Sequence, residues 1–268
     1  MDYKEFIVNT LQESGEIAKS ACGKVTGEAK KEDSNQVLTE TDLEIGKLII
    51  SRIEKNYPGH NIIDEETGVK DKKSEFTWVT DPIDGTSNFA SGIPTYGIMI
   101  GLLERDLPLV CGIALPSFNN IYYARKGKGA YCDGKRIYAT KETQLLSVLV
   151  AYGIDGHKEN PEFTKKEGSI LTNIILNCRN LRSSNSCHDV AMVAKGSYGA
   201  YINQTQKIWD NVAEHLLVEE AGAKVTDIFG KPLDYNNPLK KIKEKFTFFA
   251  APPRLHKQLL EIINQAAS

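Results

Sequence analysis

The sequence predicts a mixed α/β protein, on three observations. Apolar residues near the N-terminus recur at helical spacing, two later apolar runs end abruptly in carboxylates, and short apolar runs divided by polar turns follow one another after them. The 268 residues allow one large domain or two closely packed ones, and 41% hydrophobic residues supply a substantial core. The 33 basic and 35 acidic residues leave a net charge of −2, which offers no electrostatic footprint for nucleic acid or an anionic membrane. No run reaches the length of a membrane span, and Met1-Asp2-Tyr3-Lys4-Glu5 lacks the layout of a signal peptide, so the cytoplasm is the expected compartment. Cys22, Cys111, Cys132, Cys178 and Cys187 are odd in number and scattered, which argues against a disulfide framework and a zinc site and for small buried hydrophobes.

From Tyr3 to Ala21, Phe6, Ile7, Leu11, Ile17 and Ala18 mark the buried face of a first helix. Residues 23–36, rich in charge, glycine and serine, predict an exposed loop. A second helix follows Thr39 and Thr41, with Thr41 and Glu44 as its capping box, and stops at Tyr57-Pro58-Gly59. Ile62-Ile63 is a short strand that emerges at Asp64-Glu65-Glu66. After the next strand, runs from Tyr96 to Leu103, Pro108 to Leu115 and Ile121 to Arg125 read as successive strands, and Asp133-Gly134 predicts a type I′ hairpin. The Lys126-Gly127-Lys128-Gly129 stretch lacks a following helix and reads as another turn. A strand from Leu145 to Ala151 opens the second half. The polar run 155–166 carries no pattern, and a helix is expected over residues 161–176. A short helix from Cys187 ends at Gly196, and the last informative helix opens at Trp209-Asp210 and runs to Gly222. His188 reads as a helix-surface or cleft-lining residue.

The chemistry concentrates where Trp78-Val79-Thr80 runs into Asp81-Pro82-Ile83-Asp84-Gly85-Thr86. Pro82 fixes φ, so the carboxylates of Asp81 and Asp84 and the Ile83 carbonyl can converge on one point, and three hard oxygens suit Mg²⁺. Gly85 and Thr86 then offer consecutive backbone N–H groups to a phosphate. An isolated Asp-Pro or Asp-Gly is a surface turn, but Asp-Pro-x-Asp-Gly-Thr arises by chance in roughly one chain of this length in ten thousand. Taken singly, Asp42 reads as a first-turn acid favoured by the helix dipole, residues 64–66 as a solvated turn, and Asp210 as a helix cap.

Trp78-x-x-Asp81-Pro82-x-Asp84-Gly85-Thr86-x-x-Phe89 resembles the signature of the inositol monophosphatase family, the Mg²⁺-dependent, lithium-sensitive phosphatases. Val37-Leu38-Thr39-x-x-Asp42 is similar to a second family segment. Trp209-Asp210 with Glu220-Ala221-Gly222 is similar to a third, so the resemblance covers essentially the whole chain. It implies a layered α/β/α/β/α sandwich, which we divide into an N-terminal half, 1–144, carrying most metal ligands, and a C-terminal half, 145–268, carrying Asp210 and the substrate-lining residues. It further implies a homodimer, and two or three Mg²⁺ held by Glu65, Asp81, the Ile83 carbonyl, Asp84 and Asp210. Glu65 matches the first glutamate of the family's Gly-Glu-Glu motif, with Asp64 in place of the glycine and Glu66 as a further candidate. Thr86, hydrogen-bonded to Asp42, would orient the attacking water with Glu65, while Asp84 and the N–H groups of Gly85 and Thr86 face the phosphate. Lys31, with Lys30 adjacent, stands where similar proteins carry a lysine near the metals.

The expected activity is hydrolysis of a small phosphate monoester, inositol phosphate-like or a sugar phosphate. Ser184, Asn185 and Asn203 are the candidate substrate contacts. Asn203 stands where inositol phosphatases carry an acid, and Ser184-Asn185-Ser186-Cys187-His188 departs from the family's usual sequence. Histidinol phosphatase, fructose bisphosphatase and bisphosphate nucleotidase activities therefore stay open. A catalytically silent, metal-binding interaction protein is the non-enzyme alternative, and it predicts the loss of a ligand that this chain retains.

Overall fold

Helix α1 (Tyr3–Ala21), strands β1 (Glu28–Ala29) and β2 (Val37–Leu38), helix α2 (Glu40–Asn56) and strands β3 (Asn61–Asp64), β4 (Gly68–Lys70) and β5 (Phe76–Asp84) open the computed structural model, which describes residues 2–30 and 37–267. A single turn and a half of helix, α3 (Thr86–Ala90), leads into β6 (Gly97–Glu104), β7 (Leu107–Leu115), β8 (Asn120–Arg125), β9 (Gly129–Cys132) and β10 (Lys135–Arg136). The rest comprises β11 (Leu149–Gly153), α4 (Pro161–Asn177), β12 (Asn180–Arg182), α5 (Cys187–Ala194), β13 (Ala200–Gln206), α6 (Ile208–Glu220), β14 (Lys224–Thr226), β15 (Phe246–Ala251) and α7 (Pro253–Ala267).

The strands form an eight-stranded sheet in the order β10-β9-β8-β7-β6-β5-β3-β4 and a five-stranded sheet in the order β12-β11-β13-β15-β14. Alternation of side chains along each strand decides the layers. Ile98, Ile100 and Leu102 of β6 face α1 and α2, where they meet Phe6, Ile7, Leu11, Ile45 and Ile49. Met99, between them in sequence, points to the opposite face and packs with Val190 of α5 and Leu216 and Leu217 of α6. Those two helices are covered on their far side by Tyr201, Phe248 and Ala250 of the smaller sheet. Ile202 and Phe249 of that sheet turn the other way, to Ile170 and Ile174 of α4 and Leu255, Leu259 and Ile263 of α7. The result is the expected α/β/α/β/α sandwich. Helix α6 in its central layer lies so close to the large sheet that a Cβ on Gly101 would come within 2.7 Å of Val212.

Pro82 positions the acids. Along β5 the ladder with β6 pairs Asp81 with Met99 and then Asp84 with Gly97, a register shift in which three steps on one strand oppose two on the other. Pro82, which has no N–H to donate, falls inside that bulge, and the bend brings both carboxylates out of the sheet together. Asp133 and Gly134 both have positive φ, 49° and 77°, and link β9 to β10 as the type I′ hairpin the dipeptide predicts.

Three local expectations are corrected. The loop expected over residues 23–36 contains β1, which pairs with β2. Leu145–Ser147 is a 3₁₀ turn and the strand runs Leu149–Gly153: Leu145 and Val148 both seat in the core, a spacing of three that suits a 3₁₀ turn and not the period-2 alternation of a strand. The box at the start of α2 is formed by Thr39 with Asp42, two residues earlier than Thr41 with Glu44: the Thr39 N–H donates to Asp42 Oδ2 at 2.8 Å and its hydroxyl to the same oxygen at 2.5 Å.

Candidate active site

A cleft of about 250 Å³ opens where the ends of β5 and β13 and the start of α6 meet. It is lined by Glu65, Asp81, Ile83, Asp84, Gly85, Thr86 and Asp210, which are 145 residues apart along the chain at their extremes. One carboxylate oxygen from each of Asp81, Asp84 and Asp210 lies within 4.8 Å of the others. Glu65 lines the same cleft, but its Oε1 accepts from Lys30 Nζ at 2.7 Å, and the same ammonium reaches Glu66 Oε1 at 2.7 Å. Lys31 lies outside the described residues; Lys30 is the lysine placed among the acids. Glu66 holds Lys30 and does not line the cleft.

These acids are costly together. Burial, then the charges of Glu65, Asp84 and Asp210, raise the Asp81 pKa well above the ordinary carboxylate range. Burial pushes Glu65 up to about 7 despite Lys30, with Glu66 and Asp210 adding to the rise. Asp84 also rises to about 7 by burial, opposed by the backbone N–H of Cys187, which donates to Asp84 Oδ2 from the start of α5. Asp210 rises to about 7 through burial and then the charge of Asp84, opposed by the Lys207 N–H that donates to its Oδ2 at 2.7 Å. For Lys30, burial acts to lower the pKa, but the Glu65 charge and the bonds to both glutamates raise it overall. Buried acids pushed this far are relieved by cations, and Asp81 Oδ1 is buried with no partner among the described residues. Convergent hard oxygens of this kind fit Mg²⁺.

Asp42 serves in two places. It caps α2, as its position alone suggests, and its Oδ1 accepts from Thr86 Oγ1 at 3.2 Å, as the resemblance implies. Burial raises its pKa, while the bonds from Thr39 and Thr86 act to lower it. The Thr86 hydroxyl also reaches the Ile83 carbonyl at 2.8 Å. Gly85 makes this turn possible: its φ is 79°, and a Cβ there would stand 2.8 Å from Ser186 Cβ and 3.2 Å from the Thr95 carbonyl.

The substrate-side expectations divide. Asn185 and Asn203 line the cleft. Ser184 does not: its N–H donates to Asp189 Oδ2 at 2.8 Å and its carbonyl accepts from Asn88, so its backbone is spent on holding the loop, and Ser186 lines the cleft instead. His188 packs its ring against Phe118 outside the cleft, 5.2 Å between centroids. Asp155, Tyr201, Gln206 and Lys207 line the cleft without having been singled out from the sequence. Asp155 carried a signal: it stands two residues past the end of β11, as Asp64 and Asp81 stand at the ends of β3 and within β5.

Layered α/β architecture with buried acids at strand ends and a glycine turn beside them defines a class of phosphatase-like protein, and the comparisons agree. The family model for the inositol monophosphatase family matches residues 2–268. A Thermotoga maritima protein named fructose-1,6-bisphosphatase/inositol-1-monophosphatase is 28% identical over 266 residues, covering 99% of this chain and 97% of its own. The inositol-1-monophosphatase of Bacillus subtilis is 31% identical over 256 residues, covering 94% of this chain and 92% of its own. Among solved structures, a Thermotoga maritima IMPase superposes with a TM-score of 0.88 at 26% identity, covering 99% of this chain and 98% of that one. This chain belongs to the inositol monophosphatase family and, with it, to the phosphatases.

Proposed function

We propose that this protein is a Mg²⁺-dependent hydrolase of a small phosphate monoester, using a water rather than a side chain as nucleophile. The observation that carries the reading is the convergence of Asp81, Asp84 and Asp210 within 4.8 Å beside the Gly85-Thr86 turn, with Asp81 Oδ1 left unpartnered. Held by Glu65, Asp81, the Ile83 carbonyl, Asp84 and Asp210, Mg²⁺ would neutralise the ester dianion, acidify water and stabilise the departing oxygen. The Thr86 hydroxyl has acceptors in Asp42 and the Ile83 carbonyl, so its proton is engaged there and its lone pairs are left to orient the attacking water. Glu65 accepts that water's proton once Lys30 has moved off it. Backbone N–H groups of Gly85 and Thr86 hold the phosphoryl oxygens.

Names of relatives supply the first substrates to try, inositol 1-phosphate and fructose 1,6-bisphosphate. Phosphate release from these and from histidinol phosphate should require Mg²⁺, vanish in EDTA and fall with Li⁺. Turnover that persists in EDTA would sink the metal reading. A division near residue 144, a cytoplasmic location, a homodimer and two or three Mg²⁺ per site complete the proposal. Among the described residues no helix is long and apolar enough to cross a membrane.

A further inference from the structure

Asn88 follows Asp84 on the run that forms the metal-site turn and lies within α3. Its amide nitrogen donates to the Thr95 carbonyl at 2.7 Å, just before β6, and to the Ser184 carbonyl at 2.7 Å, 96 residues away. Two carbonyl partners spend both N–H donors and decide which way the amide faces. Three positions past Ser184, the Cys187 N–H donates in the opposite direction, to Asp84 Oδ2. Two short runs, one from Asp84 to Asn88 and one from Ser184 to Cys187, therefore meet at two points. The metal-site run gives the donor at one and the acceptor at the other, and two directional bonds fix how the runs sit on each other.

Little room separates the two runs. A Cβ on Gly85 would stand 2.8 Å from Ser186 Cβ, and one on Gly97, which pairs with Asp84 across the β5–β6 ladder, would collide with the Cys187 sulfur. Ser186 and Cys187 are both buried. The second run is also anchored from its other side. Asn185, in a left-handed conformation at φ 50°, accepts from the Ile154 N–H at 3.0 Å and donates to the Ile154 carbonyl at 2.9 Å, while the Ser184 N–H donates to Asp189 Oδ2 at 2.8 Å. These bonds shape the run without Asn88. What Asn88 adds is the seat of that run on the metal-site turn, and the Asp84 carboxylate depends on the seat: with Oδ2 held by the Cys187 N–H, it cannot rotate without losing a charge-assisted bond.

We propose that Asn88 is a positioning residue of the phosphatase site: by docking the Ser184 carbonyl it carries the Cys187 N–H to Asp84 and so sets the rotation in which that carboxylate receives Mg²⁺. The inference rests on the phosphatase reading above and adds to it a residue that acts through Asp84. Misplacing a catalytic group by about 1 Å costs on the order of 100-fold in rate. Loosening one of two docking points costs less, about 10-fold, the worth of one to two neutral hydrogen bonds.

The test uses protein with isotopically labelled cysteine, in which the Cys187 amide is one of five NMR signals and is identified by its loss in Cys187→Ala. Wild type is compared with Asn88→Ala and with Asn88→Asp, which keeps the shape of the side chain and removes both donors; circular dichroism checks that each is folded. In both variants the Cys187 amide hydrogen should exchange about 10-fold faster, and calorimetry should show Mg²⁺ binding about 10-fold more weakly. At saturating Mg²⁺, kcat for inositol 1-phosphate should fall about 10-fold while KM stays within about 3-fold of wild type. A wild-type exchange rate in folded Asn88→Ala overturns the dock. Faster exchange with unchanged Mg²⁺ affinity and kcat overturns the positioning role, and a raised KM at unchanged kcat overturns it in favour of direct substrate contact. If neither variant folds, wild type decides: its Cys187 amide signal should move when Mg²⁺ is added, and a signal that stays in place overturns the proposal. If wild type releases no phosphate from any ester with Mg²⁺, the phosphatase reading falls, and amide exchange with Mg²⁺ calorimetry still decides whether Asn88 sets Asp84.

Discussion

The two walls of the cleft are built on different principles. On one, Asp81, Asp84, Gly85 and Thr86 come from a single six-residue run, and burial holds acids together at a cost only cations relieve. On the other, Asp155, Asn185 and Gln206 come from three separate segments, and side-chain amides bonded to backbone and to carboxylates hold the wall in place. The first wall stores repulsion, and the second stores an unmet acceptor, the buried Gln206 Oε1, which has no partner among the described residues. Under the proposed function, the first wall would carry the chemistry common to many phosphate esters.

The sharpest way to break that comparison is Asp84→Asn. Turnover should drop about 1,000-fold, the several kcal/mol that a lost metal site removes from transition-state stabilisation, while the metal-free protein melts higher because one buried charge is gone. Lower turnover with a lower melting temperature in EDTA would mean that Asp84 is structural.

Acidity gives the next largest effect. Glu65, Asp84 and Asp210 sit at about 7 when folded, against 4.5 for a glutamate and 3.8 for an aspartate. Because these values are raised, the folded protein retains protons that the unfolded chain has released; the stabilisation is full below about pH 4 and is lost as pH climbs through 7. Melting in EDTA should therefore fall by about 5 °C or more between pH 4.5 and 8, and saturating Mg²⁺ should restore it at pH 8. A flat profile in EDTA would show that the acids are not mutually strained.

Lys30→Ala should lower the metal-free melting temperature by about 2 °C at pH 8, a difference that disappears once Mg²⁺ is bound and takes over the charge of Glu65. Smaller still is Asn203→Ala. It loosens the irregular stretch of β13 by about 1 kcal/mol, but it should leave Mg²⁺ affinity at the wild-type value, because its bonds to Thr205 and Tyr201 stay within β13. Weaker Mg²⁺ binding in that variant would mean that β13 also helps to hold the acids.

Much of the first wall was legible because contiguous residues with restricted backbones do most of the work. Pro82 and Gly85 constrain the turn wherever it is placed, and Asp-Pro-Ile-Asp-Gly-Thr carries its chemistry within six positions. Helices α1, α2, α4 and α6 were legible from periodicity and punctuation. The 3₁₀ turn at Leu145 and the earlier start of α2 were not, because local patterns cannot say which of two neighbouring apolar or capping residues the core will accept.

By itself, then, the sequence determined a mixed α/β class and the acids at the strand ends, written in short-range constraints on φ, hydrogen bonding and side-chain alternation, while the family and its layered fold came from the resemblance of its motifs. Only the tertiary structure decided that Lys30 lies between Glu65 and Glu66, that Ser184 turns away from the cleft, and that Asp155 and Gln206 join its wall. Those placements depend on contacts between residues 30 or more apart, or on which end of an amide a buried Glu214 claims, and no local pattern carries that information.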